Sequence, residues 1–152
     1  MSADPTTTKS VKGGTNMIEQ RGTYGLGVTV ALPYAEAITR TKAALKEQGF
    51  GVLSEIDVRA TLKEKRNIDF RPYVILGACN PDLAHRALES ELDIGLLLPC
   101  NVVVYEVDGG SLVEAIDPER ALDIVGKPEL HAIAAEAKAL LVRALEAVAR
   151  PA

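Results

Sequence analysis

The chain has 152 residues, of which 47% are hydrophobic and 25% charged, a balance typical of one globular domain with a core of its own. Its net charge of −4 and pI of about 5.2 argue against a nucleic-acid-binding protein, which needs a basic face. No apolar run approaches the roughly 18 residues of a membrane-spanning segment, so no transmembrane helix and no membrane partner are predicted.

The N-terminal segment is rich in Ser, Thr, Gly and Lys and lacks the apolar centre of a secretory signal. We therefore interpret residues 1–21 as a disordered tail and residues 22–150 as a single α/β domain. Met17 is a candidate alternative start. The expected location is the cytoplasm, where the two cysteines would be reduced thiols rather than a disulfide.

Beyond the tail, β-branched stretches alternate with stretches that carry apolar residues at helical spacing. Strands are predicted at residues 24–31, 51–58, 72–79, 98–107 and 111–116. Helices are predicted at residues 32–48, 59–66, 80–92, 117–126 and 128–150. This order predicts an α+β fold, a two-layer α/β sandwich in which a mixed sheet of about five strands carries the helices on one face.

Both cysteines lie in similar segments, Gly77-Ala78-Cys79-Asn80-Pro81 and Leu98-Pro99-Cys100-Asn101. The first cysteine precedes a helix start, where backbone N–H groups and the helix dipole favour a thiolate. The alternative is a small buried residue at a tight turn, the commoner role of a cysteine. The candidate ligand-binding residues are Cys79, Asn80, Pro99, Cys100 and Asn101.

The sequence leaves the relative position of the two thiols open. Antiparallel strands would bring Cys79 and Cys100 to the same end of the sheet, whereas a parallel crossover would separate them. A disulfide between them would need Cα atoms within roughly 7 Å of each other.

Two carboxylates project from one face of a predicted strand, and one of them, Glu55, joins the two cysteines as a candidate catalytic residue. The alternative for Glu55 and Asp57 is the solvent-exposed face of an edge strand. His85 lies about one turn into the helix that follows Cys79, but neither C-x-x-C nor a paired-histidine spacing occurs, and no metal site is predicted. Gly25-Leu26-Gly27 lacks the third glycine of a dinucleotide-binding loop, and no cofactor is predicted.

Several motifs resemble the bacterial and archaeal domain of unknown function 302 family. They are EIDV at residues 55–58, LKEK at 62–65, GACNP at 77–81 and GLLLPCNV at 95–102. The resemblance covers residues 24–148. It implies a compact α/β fold with helices on a sheet, commonly a dimer, and it makes the cysteine-asparagine motifs the suspected site without supplying an activity.

The leading hypothesis is a homodimeric domain in which the regions of Cys79 and Cys100 line a pocket for a small molecule or a thiol-reactive species. Cys79 would act as the thiolate, Cys100 as its partner or the second wall, and Asn80 and Asn101 as polar anchors. The alternatives are a cysteine-dependent enzyme of hydrolase or thiol-redox type, a non-catalytic assembly module and a metal-binding protein.

Overall fold

The computed structural model describes residues 8–11 and 18–150, which form seven strands, five α-helices and one 3₁₀ helix. The strands are β1 (Thr8–Val11), β2 (Ile18–Arg21), β3 (Gly25–Val30), β4 (Gly51–Asp57), β5 (Tyr73–Cys79), β6 (Cys100–Val107) and β7 (Gly110–Ile116). The helices are α1 (Tyr34–Glu47), α2 (Val58–Arg66), α3 (Pro81–Ser90), α4 (Pro118–Asp123) and α5 (Glu129–Ala149), with a 3₁₀ helix at Leu92–Leu97. None of these described helices is both long and apolar enough to cross a membrane.

The strands form one sheet in the order β1-β2-β3-β7-β6-β5-β4, and every neighbouring pair is antiparallel. The α+β class is confirmed, but the prediction of a mixed sheet of about five strands is wrong. The five predicted strands correspond to β3 through β7, and β1 and β2 extend the sheet at one edge. The connection through α3 starts and finishes at the same end of the sheet, so it makes no parallel crossover.

The prediction of a disordered tail is wrong where the chain reaches the sheet. β2 pairs with β3 across a tight turn at Gly22, which has a φ of +62°. Ile18 is fully buried, and the burial of this side chain helps to stabilise a strand that the polar composition did not indicate. Residues 1–7 and 12–17 of the predicted tail, including Met17, lie outside the described residues.

One face of the sheet carries the hydrophobic core. Alternate residues of the central strands are buried on it, such as Val28 in β3 and Val104 in β6. They pack in one cluster with buried residues of α1 and with Leu141 and Leu145 in the C-terminal half of α5. Helix α5 therefore covers the sheet with the apolar stripe that its sequence predicts.

A second cluster lies beyond the edge of this core. It joins Leu83 of α3, Ile94 of the 3₁₀ helix and Leu122 of α4 to the N-terminal half of α5. The buried α5 residues in this cluster are Leu130, Ile133, Ala134 and Ala137. The two clusters share helix α5, so this helix connects the sheet to the layer formed by α3, the 3₁₀ helix and α4.

Candidate ligand-binding site

The antiparallel pairing of β5 and β6 brings the two cysteine-asparagine motifs together. Ala78 lies opposite Cys100, and Gly77 lies opposite Asn101. Because Cys79 is the last residue of β5 and Cys100 the first of β6, both cysteines lie at the same end of the sheet. This answers the question that the sequence left open, and both thiols are free.

A cavity of about 340 Å³ lies at this end of the sheet. All five candidate ligand-binding residues contribute to its wall: Cys79, Asn80, Pro99, Cys100 and Asn101. The opposite wall comes from α3, α4 and the N-terminal half of α5, and the 3₁₀ helix closes part of one side. The cavity thus lies between the ends of strands β5 and β6 and the second hydrophobic cluster.

The junction between β5 and α3 is held by Asn80. Its side-chain Oδ1 accepts a hydrogen bond of 3.2 Å from the backbone N–H of Leu83, so it caps α3 at the N-terminus. Pro81 occupies the first turn and Asp82 supplies the acidic residue there, as the sequence predicts. Cys79 immediately precedes this cap and is partly buried.

Cys100 has an environment that opposes ionisation. Burial, with a smaller contribution from the nearby Cys79, raises the pKa of the Cys100 thiol to about 11. At neutral pH this thiol therefore holds its proton and is a poor nucleophile, since the thiolate is the reactive form. Its side of the cavity is a neutral, weakly polar surface.

Pro99 and Asn101 flank Cys100 at the start of β6. The peptide bond between Leu98 and Pro99 is cis, and both Pro99 and Asn101 are exposed residues at the border of the cavity. Asn101 lies opposite Gly77, which has no side chain, and the space over Gly77 is occupied by Ser54 Oγ and the Pro99 ring.

Glu55 does not line the cavity. It lies on β4, the edge strand of the sheet, and its carboxylate forms an ion pair of 2.6 Å with Lys42 of α1. Asp57 shares its face of the strand and caps α2, where its Oδ1 accepts a 2.9 Å hydrogen bond from the N–H of Ala60. Both carboxylates therefore have structural partners away from the two thiols.

The histidines are also separate from the thiols. Each is exposed and lies beside one carboxylate, His85 at 3.9 Å from Glu89 and His131 at 4.0 Å from Asp123. Among the side chains that the structure describes, no group of three His, Cys, Asp or Glu residues has the spacing of a metal site.

Sequence reasoning missed the apolar wall of the cavity. Leu122 of α4 and Ile133 and Ala137 of α5 belong to it, although they follow the second motif by more than twenty residues. The apolar stripe of α5 was the available signal, but a stripe shows only that one face is buried. It does not show whether that face meets the sheet or a cavity.

Three ion pairs hold the helical wall in position. Lys127 Nζ lies 2.8 Å from Glu91 and donates a 2.9 Å hydrogen bond to the carbonyl of Ser90, which ties the loop before α5 to the end of α3. Lys138 of α5 lies 3.1 Å from the buried Asp117 and 3.0 Å from Glu119 at the start of α4. These five charged groups are thus paired with one another.

Comparison with known proteins gives a family and a fold. The family model described as "Domain of unknown function DUF302" matches residues 26–148. The chain is similar to a solved structure, the crystal structure of an uncharacterized conserved protein DUF302 from Bacillus stearothermophilus, with 36% sequence identity and a TM-score of 0.78. That similarity covers 84% of this chain and 99% of the other. No curated protein matches the chain.

Proposed function

We propose that the cavity of this chain, which belongs to the DUF302 family of domains of unknown function, binds a small molecule. The match to the family model confirms the resemblance that the sequence motifs indicated. The observation that carries the proposal is the convergence of both cysteine-asparagine motifs on one cavity of about 340 Å³. This volume falls in the range of roughly 300–1,000 Å³ that is common for ligand pockets.

In this proposal the polar end of the ligand meets the strand ends. Asn80 and Asn101 supply amide groups, and Cys100 supplies a neutral wall. Cys79 is the thiol available to a thiol-reactive ligand, because Cys100 holds its proton at neutral pH. A cytoplasmic location suits the two free thiols, since that compartment keeps cysteines reduced.

Binding can be measured with the neutral fluorophore N-phenylnaphthylamine, which emits strongly in apolar surroundings. We expect saturable binding of one molecule per chain. The double variant Ala84→Leu, Ala121→Leu fills the cavity from α3 and α4 and is expected to weaken binding at least ~10-fold, a loss of about 1.4 kcal/mol. Both alanines are partly exposed, so the larger side chains can be accommodated without disturbing the core.

The matched control is Ala135→Leu, which adds the same side chain at an exposed position of α5 that does not contribute to the cavity. This variant is expected to bind the fluorophore as the wild type does. If the double variant and the control bound it equally well, the fluorophore would lie elsewhere. The proposal that the cavity is the binding site would then be abandoned.

A second proposal concerns the face of the sheet opposite the core. Here Tyr73 and Tyr105 stack with ring centroids 5.0 Å apart, Phe70 lies 6.2 Å from Tyr73, and the Arg71 guanidinium lies 5.7 Å from the Tyr105 ring. Phe70 is 41% exposed, and Ile56, on the same face of the neighbouring strand β4, is 48% exposed. We call this set of five residues the aromatic face. Aromatic side chains and arginine are enriched at protein interfaces.

We infer that two copies of the chain associate through the aromatic face. The family resemblance implies a dimer but does not specify which surface forms it. The variant Phe70→Asp replaces an aromatic ring at the edge of this face with a carboxylate and is expected to raise the dimer dissociation constant at least ~10-fold, since the contact area of the ring is lost and a carboxylate is costly to bury. Sedimentation equilibrium on the wild type and the variant measures this change directly.

The control for the dimer is Ile124→Asp, because Ile124 is 77% exposed and follows α4, outside the sheet. This substitution adds the same charge and is expected to leave the dissociation constant unchanged. A wild type that stays monomeric up to high micromolar concentration would contradict the proposal. So would a Phe70→Asp variant that dimerises as the wild type does.

A further inference from the structure

The wall of the cavity carries no charge. Among the described residues that line it, none is an Asp, Glu, Lys, Arg or His. Of its two ionisable side chains, the Cys100 thiol stays protonated well above neutral pH. A ligand with a carboxylate, phosphate or ammonium group inside this cavity would lose its hydration without gaining a charged partner, which is costly.

Two charged groups of the helical wall, Asp117 and Lys127, are engaged in ion pairs. Asp117, the residue before the lining residue Pro118, is only 6% exposed; it caps α4 through the N–H of Glu119 and is paired with Lys138. Lys127 is paired with Glu91 and bound to the carbonyl of Ser90. Recruiting any of these groups to a charged ligand would break an ion pair that holds the helical wall in position.

Polar and apolar groups occupy different parts of the wall. The strand ends contribute two thiols and two amides, whereas α3, α4 and α5 contribute aliphatic side chains such as Leu83, Leu122 and Ile133. Phe50 is the one aromatic residue among the described residues that line the cavity, so the wall offers little surface for stacking an aromatic ligand. The division suits a molecule with a polar head and an aliphatic body.

The head group can be specified further from Asn80. The carboxamide oxygen of this residue already accepts the hydrogen bond from the N–H of Leu83, so its amide N–H groups are the part that can serve a ligand as donors. The Cys100 thiol is also a weak donor in its protonated form. A complementary head group therefore carries an accepting oxygen, as in a primary amide or an alcohol.

The size of the cavity limits the length of the ligand. A volume of about 340 Å³ lies near the lower end of the range of roughly 300–1,000 Å³ that is common for ligand pockets. The cavity therefore suits a small ligand rather than one with a long acyl chain. Leu96, which is 89% exposed and contributes to the cavity, gives its rim an apolar surface at which such a molecule can enter.

From these observations we propose that the ligand is an uncharged, medium-chain aliphatic molecule whose single polar head is an amide or an alcohol. This inference rests on the proposed function, since it assigns a ligand class to the same cavity. The head lies at the strand ends beside Asn80 and Cys100, and the chain lies between α3, α4 and α5.

The test is a calorimetric titration of the full chain at pH 7.5 with three ligands of equal chain length: octanamide, octanoate and octylammonium. We expect octanamide to bind at least ~10-fold more tightly than either charged ligand, because no charged side chain of the wall replaces the hydration that the charged heads lose. We expect the double variant Ala84→Leu, Ala121→Leu to weaken octanamide binding by a similar factor and Ala135→Leu to leave it unchanged.

The outcomes separate this inference from the proposal on which it rests. If octanoate or octylammonium bound as tightly as octanamide, the inference that the ligand is uncharged would be overturned, while the proposal of a small-molecule site would stand. Failure of octanamide to bind, together with N-phenylnaphthylamine binding that the double variant weakens, would overturn the aliphatic class alone. If neither octanamide nor the fluorophore bound the wild type, both the ligand class and the proposed function would be rejected.

Discussion

At pH 7.5 the Cys100 thiol of the folded protein is expected to react with iodoacetamide at least ~100-fold more slowly than the same thiol in the unfolded chain. An ordinary cysteine has a pKa of about 8.5 and is roughly one-tenth thiolate at this pH. Burial raises the pKa of Cys100 to about 11, which leaves a far smaller thiolate fraction. The measurement uses the Cys79→Ala variant, so that mass spectrometry follows Cys100 alone.

The pH dependence supplies an independent check of the Cys100 prediction. In the unfolded chain the alkylation rate should level off above about pH 8.5, whereas in the folded chain it should rise until about pH 11. Between these values the folded state keeps a proton that the unfolded state loses, so this thiol's contribution to the free energy of unfolding falls as the pH rises. Equal alkylation rates in the folded and unfolded chains would contradict the burial of this thiol.

The substitution Gly110→Ala is expected to lower the free energy of unfolding by about 3 kcal/mol, because it overpacks the start of β7. An added Cβ would overlap the backbone carbonyl oxygen of Val30 and lie 3.0 Å from its carbonyl carbon and 3.1 Å from the Cα of Ala31. These are backbone atoms, so no side-chain rotation relieves the contact. The strands β3 and β7, which pair at Val30 and Ser111, would have to separate.

Two other glycines make a graded control series for urea unfolding. Gly95→Ala meets no described atom within 4 Å of the new Cβ and is expected to change the free energy of unfolding by less than ~0.5 kcal/mol. Gly109→Ala also meets open space, but its φ of +81° is unfavourable for alanine and should cost about 1 kcal/mol. The close approach of Val30 to Gly110 would be disproved if Gly110→Ala were no more destabilising than Gly109→Ala.

The elements from β3 to α5 could be predicted from the sequence because their signals are local. Asn80, Pro81 and Asp82 indicate a helix start, and α3 begins at Pro81 with the Asn80 side chain as its cap. The spacing of apolar residues in α5 predicts the stripe that the structure buries. Capping and helical periodicity depend on residues within a few positions of each other, so the sequence carries them directly.

Strand β2 could not be predicted because its stability comes from distant residues. Its sequence, Ile-Glu-Gln-Arg, has one apolar side chain and no strand pattern. The strand exists through its pairing with β3 and through the burial of Ile18 in a core completed by α5, more than 120 residues later. A segment of this polar composition therefore looks like a tail in the sequence, because the residues that stabilise it as a strand are distant.

The residues to consider for a site could be identified from the sequence alone, because both cysteines stand in paired motifs with an asparagine and a proline. The antiparallel direction of β5 and β6, the convergence of both motifs on one cavity and the pairing of Glu55 with Lys42 became known from the fold. So did the aliphatic wall from α4 and α5. Local patterns encode the faces and ends of elements, whereas strand direction and the packing of distant helices depend on the whole core.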